Sequence, residues 1–115
     1  AAAISNLAVN NQAVKNKLRM EGGLQALVDL MRRACSEDDA FAVGTAAAAL
    51  RNAVTSNVEN RAGVTALDCI KVSITAVSSF SSNLDCTVQL LSLFNNLFLD
   101  NPAAKERMVE EKGLQ

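Results

Sequence analysis

The sequence has 115 residues, half of them hydrophobic, and its eleven basic and twelve acidic residues leave a net charge of −1. This length fits one domain or part of one, with enough apolar residues for a buried core. Because neither charge forms a long run, the sequence disfavours a basic surface for nucleic acid or for anionic membranes. No apolar run is long enough to span a bilayer, so we expect no direct membrane insertion.

The sequence contains no histidine, and its three cysteines (Cys35, Cys69 and Cys86) have no paired spacing. We therefore expect no metal site, no cofactor and no catalytic residues, since a Ser or Cys nucleophile would lack an imidazole base. Reduced thiols fit an intracellular protein, cytoplasmic or nuclear, and one disulfide is the alternative. Cys69 and Cys86 are expected to be buried as small hydrophobic residues.

In chain order, the apolar pattern predicts only helices. The first ten residues are helical in pattern, and a short helix follows Asn11. It ends at Gly22-Gly23, where glycine permits a sharp turn. The next helix begins at Gly23, and its apolar stripe has helical spacing and consists of Leu24, Leu27, Val28 and Met31.

The loop at 36–39 reads Ser-Glu-Asp-Asp, which supplies residues that start a helix and charges that favour solubility. The helix that follows, about 39–55, is rich in alanine and hardly polar. A short helix over 58–67 and a long helix over 84–99 complete the order. The long helix is expected to have a wide apolar face of Leu90, Leu91, Phe94, Leu97 and Phe98.

The sequence repeats itself when it is aligned on Asn6, Asn52 and Asn96. Two further columns match, one of asparagines five residues later and one of basic residues nine residues later: Asn11, Asn57 and Asn101, then Lys15, Arg61 and Lys105. These columns indicate a repeat of about 45 residues. We divide the single segment 1–115 into a partial repeat 1–35, a repeat 36–80 and a partial repeat 81–115. Both ends look cut from a longer protein.

Each column has a structural interpretation. The second asparagines are predicted N-caps of the short helices, and Pro102 directly after Asn101 suits the first helical position. The basic column is predicted to be solvated surface charge, with pairing to neighbouring loop acids as the alternative. The middle repeat has Cys69 where the first has Gly23, which predicts a smoother or distorted corner there.

The order of short helix, glycine turn, helix, polar loop and long helix resembles the armadillo repeat. Three stretches show the resemblance: "ISNLAVNNQAVKNKLRMEGGLQALVDLM" at 4–31, "ALRNAVTSNVENRAGVTAL" at 49–67 and "LFNNLFLDNPAAKERMVEEKGLQ" at 93–115. The resemblance implies an all-α protein, a right-handed α-α superhelix (an armadillo-type solenoid) of three-helix repeats. It also implies that the third helices lie side by side and line a concave groove.

The resemblance implies that the first asparagine of each repeat points into this groove, where an amide can pair with the main chain of an extended peptide. The predicted groove residues are Asn6, Thr45, Ala48, Arg51, Asn52, Gln89, Ser92, Asn95 and Asn96. The expected partner is a protein or peptide, bound by a non-enzymatic scaffold. The alternatives are amides that only keep neighbouring repeats in register, and a spacer within a larger multidomain protein.

The chain departs from the family's import receptors, which place a Trp one helical turn before this asparagine. The corresponding residues here are Ala2, Ala48 and Ser92, and the chain has no Trp. The resemblance therefore does not extend to an array for basic localisation signals. Because each repeat buries its apolar face against its neighbours, we also expect low stability or self-association, with Leu7, Leu18, Leu97 and Phe98 partly uncovered.

Overall fold

A computed structural model describes residues 12–98 and 109–111, and within these ranges the only regular structure is helical. The first range forms six helices: α1 (Gln12–Met20), α2 (Gly23–Ser36), α3 (Ala40–Val54), α4 (Val58–Thr65), α5 (Cys69–Ser79) and α6 (Leu84–Phe98). Residues 109–111 are also helical. The predicted all-α class is confirmed. The predicted helices agree with the observed ones to within two residues at most ends of the described segments.

Helix α3 is the centre of the core and packs most extensively against α6 and α2. Half of its buried residues are alanines, and Ala46, Ala47 and Ala49 have no exposed surface. Small side chains let two helices approach closely. A Cβ placed on Gly44 would lie 3.6 Å from the Cα of Cys86 in α6. The alanine-rich composition of α3 is therefore what brings α6 alongside it.

The apolar stripe predicted for α2 is confirmed, since Leu24, Leu27, Val28 and Met31 are all buried. Helix α5 packs against α2 through the buried side chains Ile70, Val72 and Ala76. Within the described residues no single helix is long and apolar enough to cross a membrane. The pair α4 and α5 passes that test of length and composition together, although it bends by 71° between the two helices.

Three helices begin at a polar side chain that accepts a hydrogen bond from a backbone N–H of the first turn. The bonds run to Asp39 from Ala42 N (3.1 Å), to Asn57 from Asn60 N (2.9 Å) and to Asn83 from Cys86 N (3.0 Å). The cap predicted at Asn57 is confirmed. The corresponding residues Asn11 and Asn101, with Pro102, lie outside the described residues.

The two corners between a short helix and the next helix have the same backbone conformation. Gly22 precedes α2 with φ 79° and ψ 13°, and Asp68 precedes α5 with φ 58° and ψ 15°. The prediction of a smoother or distorted corner in the middle repeat is therefore wrong. Aspartate is one of the few residues other than glycine that adopt this left-handed conformation, so the corner survives without glycine.

Two expectations for α6 were wrong in part. Leu91, which the sequence predicts on the wide apolar face, is 54% exposed, while Leu93, which the prediction does not include, is fully buried. Leu97 was expected to be partly uncovered and is also fully buried. The helix is rotated so that its core stripe runs through residues 86, 90, 93 and 97, a spacing of three or four.

The other terminal and cysteine predictions have mixed outcomes. Leu18 and Phe98 are partly buried, as expected, and Leu7 lies outside the described residues. All three cysteines are free thiols. Cys69 and Cys86 are buried, which confirms their expected place in the core, and Cys35 is half-buried.

Lys15 contradicts the prediction that the basic column is surface charge. Its side chain is 1% exposed, and its ammonium donates a 2.6 Å hydrogen bond to the carbonyl oxygen of Thr55, the C-cap of α3. The alternative prediction, that the basic column pairs with acidic residues of neighbouring loops, is also wrong for Lys15, because its partner is a backbone carbonyl. The carbonyl groups at a helix C-terminus attract a cation. Burial lowers the pKa of Lys15. Arg61 is half-buried, and Lys105 lies outside the described residues.

A polar seam joins α1 to the corner between α3 and α4, and Asn60 is its centre. Asn60 is fully buried, and its Nδ2 donates to the carbonyl oxygens of Lys15 and Ala53, both at 2.9 Å. Its Oδ1 accepts a hydrogen bond from Arg19 at 2.8 Å, and Arg19 also forms a 3.0 Å ion pair with Glu59. Every polar atom of this buried amide therefore has a partner, which makes its burial tolerable.

Candidate functional site

Helices α3 and α6 lie side by side and run in the same direction, with Gly44 beside Cys86 and Arg51 beside Gln89. Their outer faces form a shallow depression of about 460 Å³ that is open to solvent. The residues that line it come from both helices and are Arg51, Val88, Leu91, Ser92, Asn95 and Asn96. We call this surface the α3–α6 face.

Arg51 is held in place by two amides. Its Nη1 donates to Oε1 of Gln89 at 2.9 Å, across the gap between the helices. Its Nε donates to Oδ1 of Asn52 at 3.3 Å. The guanidinium group is planar and has five N–H groups, so these two bonds fix its plane and leave the Nη2 side for another acceptor.

The structure brings together four of the predicted groove residues. Arg51, Ser92, Asn95 and Asn96 line the depression, and Asn95 is exposed while the other three are half-buried.

The other predicted residues do not line the depression. Gln89 and Asn52 contact it indirectly, through their bonds to Arg51. Thr45 and Ala48 are half-buried. The Thr45 hydroxyl donates to the carbonyl oxygen of Phe41 in its own helix, at 2.9 Å. Asn6 lies outside the described residues.

Sequence reasoning missed the exposed apolar residues on this face, Val88 and Leu91, and those beside it, Leu84 and Phe41. Leu84, Val88 and Leu91 are 75%, 47% and 54% exposed and follow one another along α6 at intervals of four and three residues. Phe41 is 85% exposed and lies on the same side of α3 as Thr45. Because an apolar residue at helical spacing is normally assigned to the core, Leu91 was assigned there. The sequence contains one sign of this exposed apolar surface: α6 has more apolar residues than a single buried stripe can hold, so some of them must face outward.

No family model, curated protein or solved structure matches this chain. The function proposed for the α3–α6 face therefore rests on its own geometry and chemistry.

Among the described residues, no three His, Cys, Asp or Glu side chains lie close enough together to hold a metal ion. Burial raises the pKa of each thiol, and it raises that of Cys69 to about 12. A thiol with a raised pKa is a weak nucleophile at neutral pH. The α3–α6 face instead offers one cation, several amides and exposed aliphatic groups, which suit binding.

A second depression, of about 270 Å³, lies between α2 and α5. Three of its polar side chains are already used within the chain, while the exposed Lys71 is not. Arg32 forms a 2.7 Å ion pair with Asp29, and the hydroxyls of Ser36 and Thr75 donate to carbonyl oxygens of their own helices. The donor that this cleft offers a ligand is the Lys71 ammonium, whereas the α3–α6 face offers several neutral amides beside its cation.

Proposed function

We propose that this chain is an armadillo-type helical segment, a protein-interaction scaffold that binds an extended peptide or a partner domain on the α3–α6 face. The observation behind the proposal is the meeting of Arg51, Ser92, Asn95 and Asn96 in one open depression between two parallel helices. Three of these side chains are neutral hydrogen-bonding groups. Such groups can pair with the main chain of a ligand whatever its sequence.

The order of the helices supports the armadillo part of the proposal. The lengths of α1, α2 and α3 are 9, 14 and 15 residues, and those of α4, α5 and α6 are 8, 11 and 15 residues. In each group of three, a left-handed residue lies between the first and second helices, Gly22 in the first group and Asp68 in the second, whereas the left-handed Asp38 before α3 has no counterpart before α6. In such an arrangement the two long helices are adjacent, and one face of each remains open to a partner.

A peptide-selection experiment tests the proposal. A random peptide library is displayed and selected on the immobilised 115-residue chain, and the affinities of enriched peptides are measured by titration. Asn96→Ala should weaken binding by about fivefold to tenfold, since each amide-to-backbone pair contributes about 1 kcal/mol. Gln25→Ala, which removes an exposed amide from α2, is the matched control and should leave affinity unchanged.

The alternative function is a structural spacer that holds other domains apart. One observation favours it: the Asn52 amide accepts a hydrogen bond from Arg51, so this asparagine already has a partner in its own chain. If no peptide is enriched above background and Asn96→Ala lowers the stability of the fold, the spacer is the better interpretation.

A further inference from the structure

We propose that the α3–α6 face selects peptides in which a carboxylate lies next to an aliphatic or aromatic side chain, with Arg51 binding the carboxylate and Leu91 and Val88 the apolar group. This inference rests on the proposed function and names the chemistry of its ligand. Charge complementarity and exposed apolar surface on the face support it.

The charge of the depression comes from one residue. Arg51 is its only charged lining residue among those the structure describes, and no carboxylate lines it there. The Arg51 side chain is half-buried and is oriented by Gln89 and Asn52, which are neutral and leave its charge uncompensated. A fixed guanidinium group in a partly desolvated setting favours a carboxylate partner, which it can bind through two parallel bonds.

The apolar part of the face adjoins this cation. Val88 and Leu91 line the same depression as Arg51, and both are about half exposed. Covering an exposed aliphatic side chain with another apolar group is favourable in proportion to the area removed from water. A ligand that satisfies Arg51 alone leaves these two side chains in water, so the best ligand has both groups close together.

The apolar stripe continues beyond the depression toward the start of α6. Leu84 lies seven residues before Leu91, about 10 Å along a helix axis. An extended peptide covers that distance in about three residues. A second apolar side chain about three residues from the first is therefore expected to strengthen binding, on the side away from the carboxylate.

The test compares peptide selections on the wild-type chain and on three variants. Arg51→Gln removes the cation, and Arg33→Gln is the matched control, because Arg33 is an exposed cation on α2 away from this face. Leu91→Asn removes the apolar contact at an exposed position, where the fold should tolerate it. Circular dichroism establishes that each variant is folded before selection.

The wild type and Arg33→Gln should enrich peptides with Asp or Glu beside Leu, Ile or Phe. Arg51→Gln should lose the preference for acidic residues and keep the preference for apolar ones. Leu91→Asn should keep the acidic preference and lose the apolar one. In titrations, replacing the peptide's Asp by Asn should weaken wild-type binding about tenfold and leave binding to Arg51→Gln unchanged.

Two negative results have different meanings. Enriched peptides without a carboxylate preference, or equal preferences in Arg51→Gln and Arg33→Gln, would overturn this inference and leave the proposed function standing. A failure of every arm to enrich any peptide would overturn this inference together with the peptide-binding form of the proposed function.

Discussion

The ammonium of Lys15 in α1 donates a 2.6 Å hydrogen bond to the carbonyl oxygen of Thr55, forty residues later at the end of α3. This bond joins the first helix of the described chain to the C-terminus of its central helix. A lysine is rarely buried unless its charge has a partner. Here the partner is the carbonyl oxygen of Thr55 at a helix end, so the lysine adds a distant donor to the bonds that residues 55 and 57 form with the last turn of α3.

Lys15→Ala should destabilise the fold by about 2–3 kcal/mol, because it removes a charge-assisted hydrogen bond and leaves the Thr55 carbonyl without that donor. The measurement is the free energy of unfolding from urea titration followed by circular dichroism. Lys17→Ala is the matched control, since Lys17 is exposed on the same helix, and it should change stability by less than about 0.5 kcal/mol. Equal effects of the two substitutions would contradict the capping role.

Asn60→Ala should be among the most destabilising single changes on the polar seam. It removes the Asn60 donor from the buried carbonyl oxygens of Lys15 and Ala53, and it removes one acceptor from the partly buried Arg19. We expect a loss of about 3 kcal/mol in the free energy of unfolding. Asn83→Ala, which removes only the N-cap of α6, should cost about 1 kcal/mol. A smaller effect for Asn60→Ala than for Asn83→Ala would show that water replaces the lost bonds.

The sequence predicted well what depends on local rules. The apolar stripe of α2, the cap at Asn57 and the loop before α3 follow from helical spacing and from side chains that bond to nearby backbone groups. Those signals lie within a few residues of one another. They were therefore readable before any knowledge of how the helices pack.

The polar seam and the α3–α6 face could not be predicted in the same way. The partner of Lys15 is forty residues away, and surface charge is the ordinary environment of a lysine. Leu91 has the spacing of a core residue, and only the rotation of α6 against α3 decides that Leu93 is buried instead. The burial of Lys15 and the exposure of Leu91 both depend on contacts between helices, and the local sequence pattern does not determine those contacts.

Gly23→Ala and Gly63→Ala should have opposite effects on stability. A Cβ on Gly23 would overlap Cδ1 of Leu18 and lie 2.9 Å from the Leu18 carbonyl oxygen, so the corner must shift, at a cost of about 2 kcal/mol. A Cβ on Gly63 would lie 3.6 Å from its nearest neighbour, an ordinary contact. Because alanine is the better helix former, Gly63→Ala should stabilise α4 by about 0.5–1 kcal/mol. Thermal unfolding of the two variants measures both signs, and a loss of stability in Gly63→Ala would contradict this account.

Ser56→Gly should stabilise the chain by about 0.5–1 kcal/mol. Ser56 follows α3 with φ 54°, a left-handed conformation that costs a residue with a Cβ more than it costs glycine. Its contact with Gln12 uses the carbonyl oxygen of its backbone, which the substitution keeps. The control is Ser78→Gly, at an exposed position in the last turn of α5, where φ is not left-handed and the same chemical change should not stabilise the chain. If urea unfolding shows that both substitutions change the free energy of unfolding in the same direction, backbone strain at position 56 is ruled out.

Cys69 should make the fold sensitive to alkaline pH. Burial raises the pKa of its thiol to about 12, from an ordinary value of 9.0. Between these two values the folded state holds the thiol proton more tightly than the unfolded state does. The stability that Cys69 contributes is therefore complete below about pH 9 and is lost as the pH rises toward 12.

Cys69→Ala removes this titration, so the difference in unfolding free energy between wild type and variant should change by about 2 kcal/mol between pH 8.5 and 10.5, to the disadvantage of the wild type. Lysine titration is common to both proteins and cancels in the difference. Cys35→Ala is the control, because Cys35 is only half-buried and its effect should be smaller. If the difference between wild type and Cys69→Ala stays constant over this range, the Cys69 thiol has no raised pKa in the folded state.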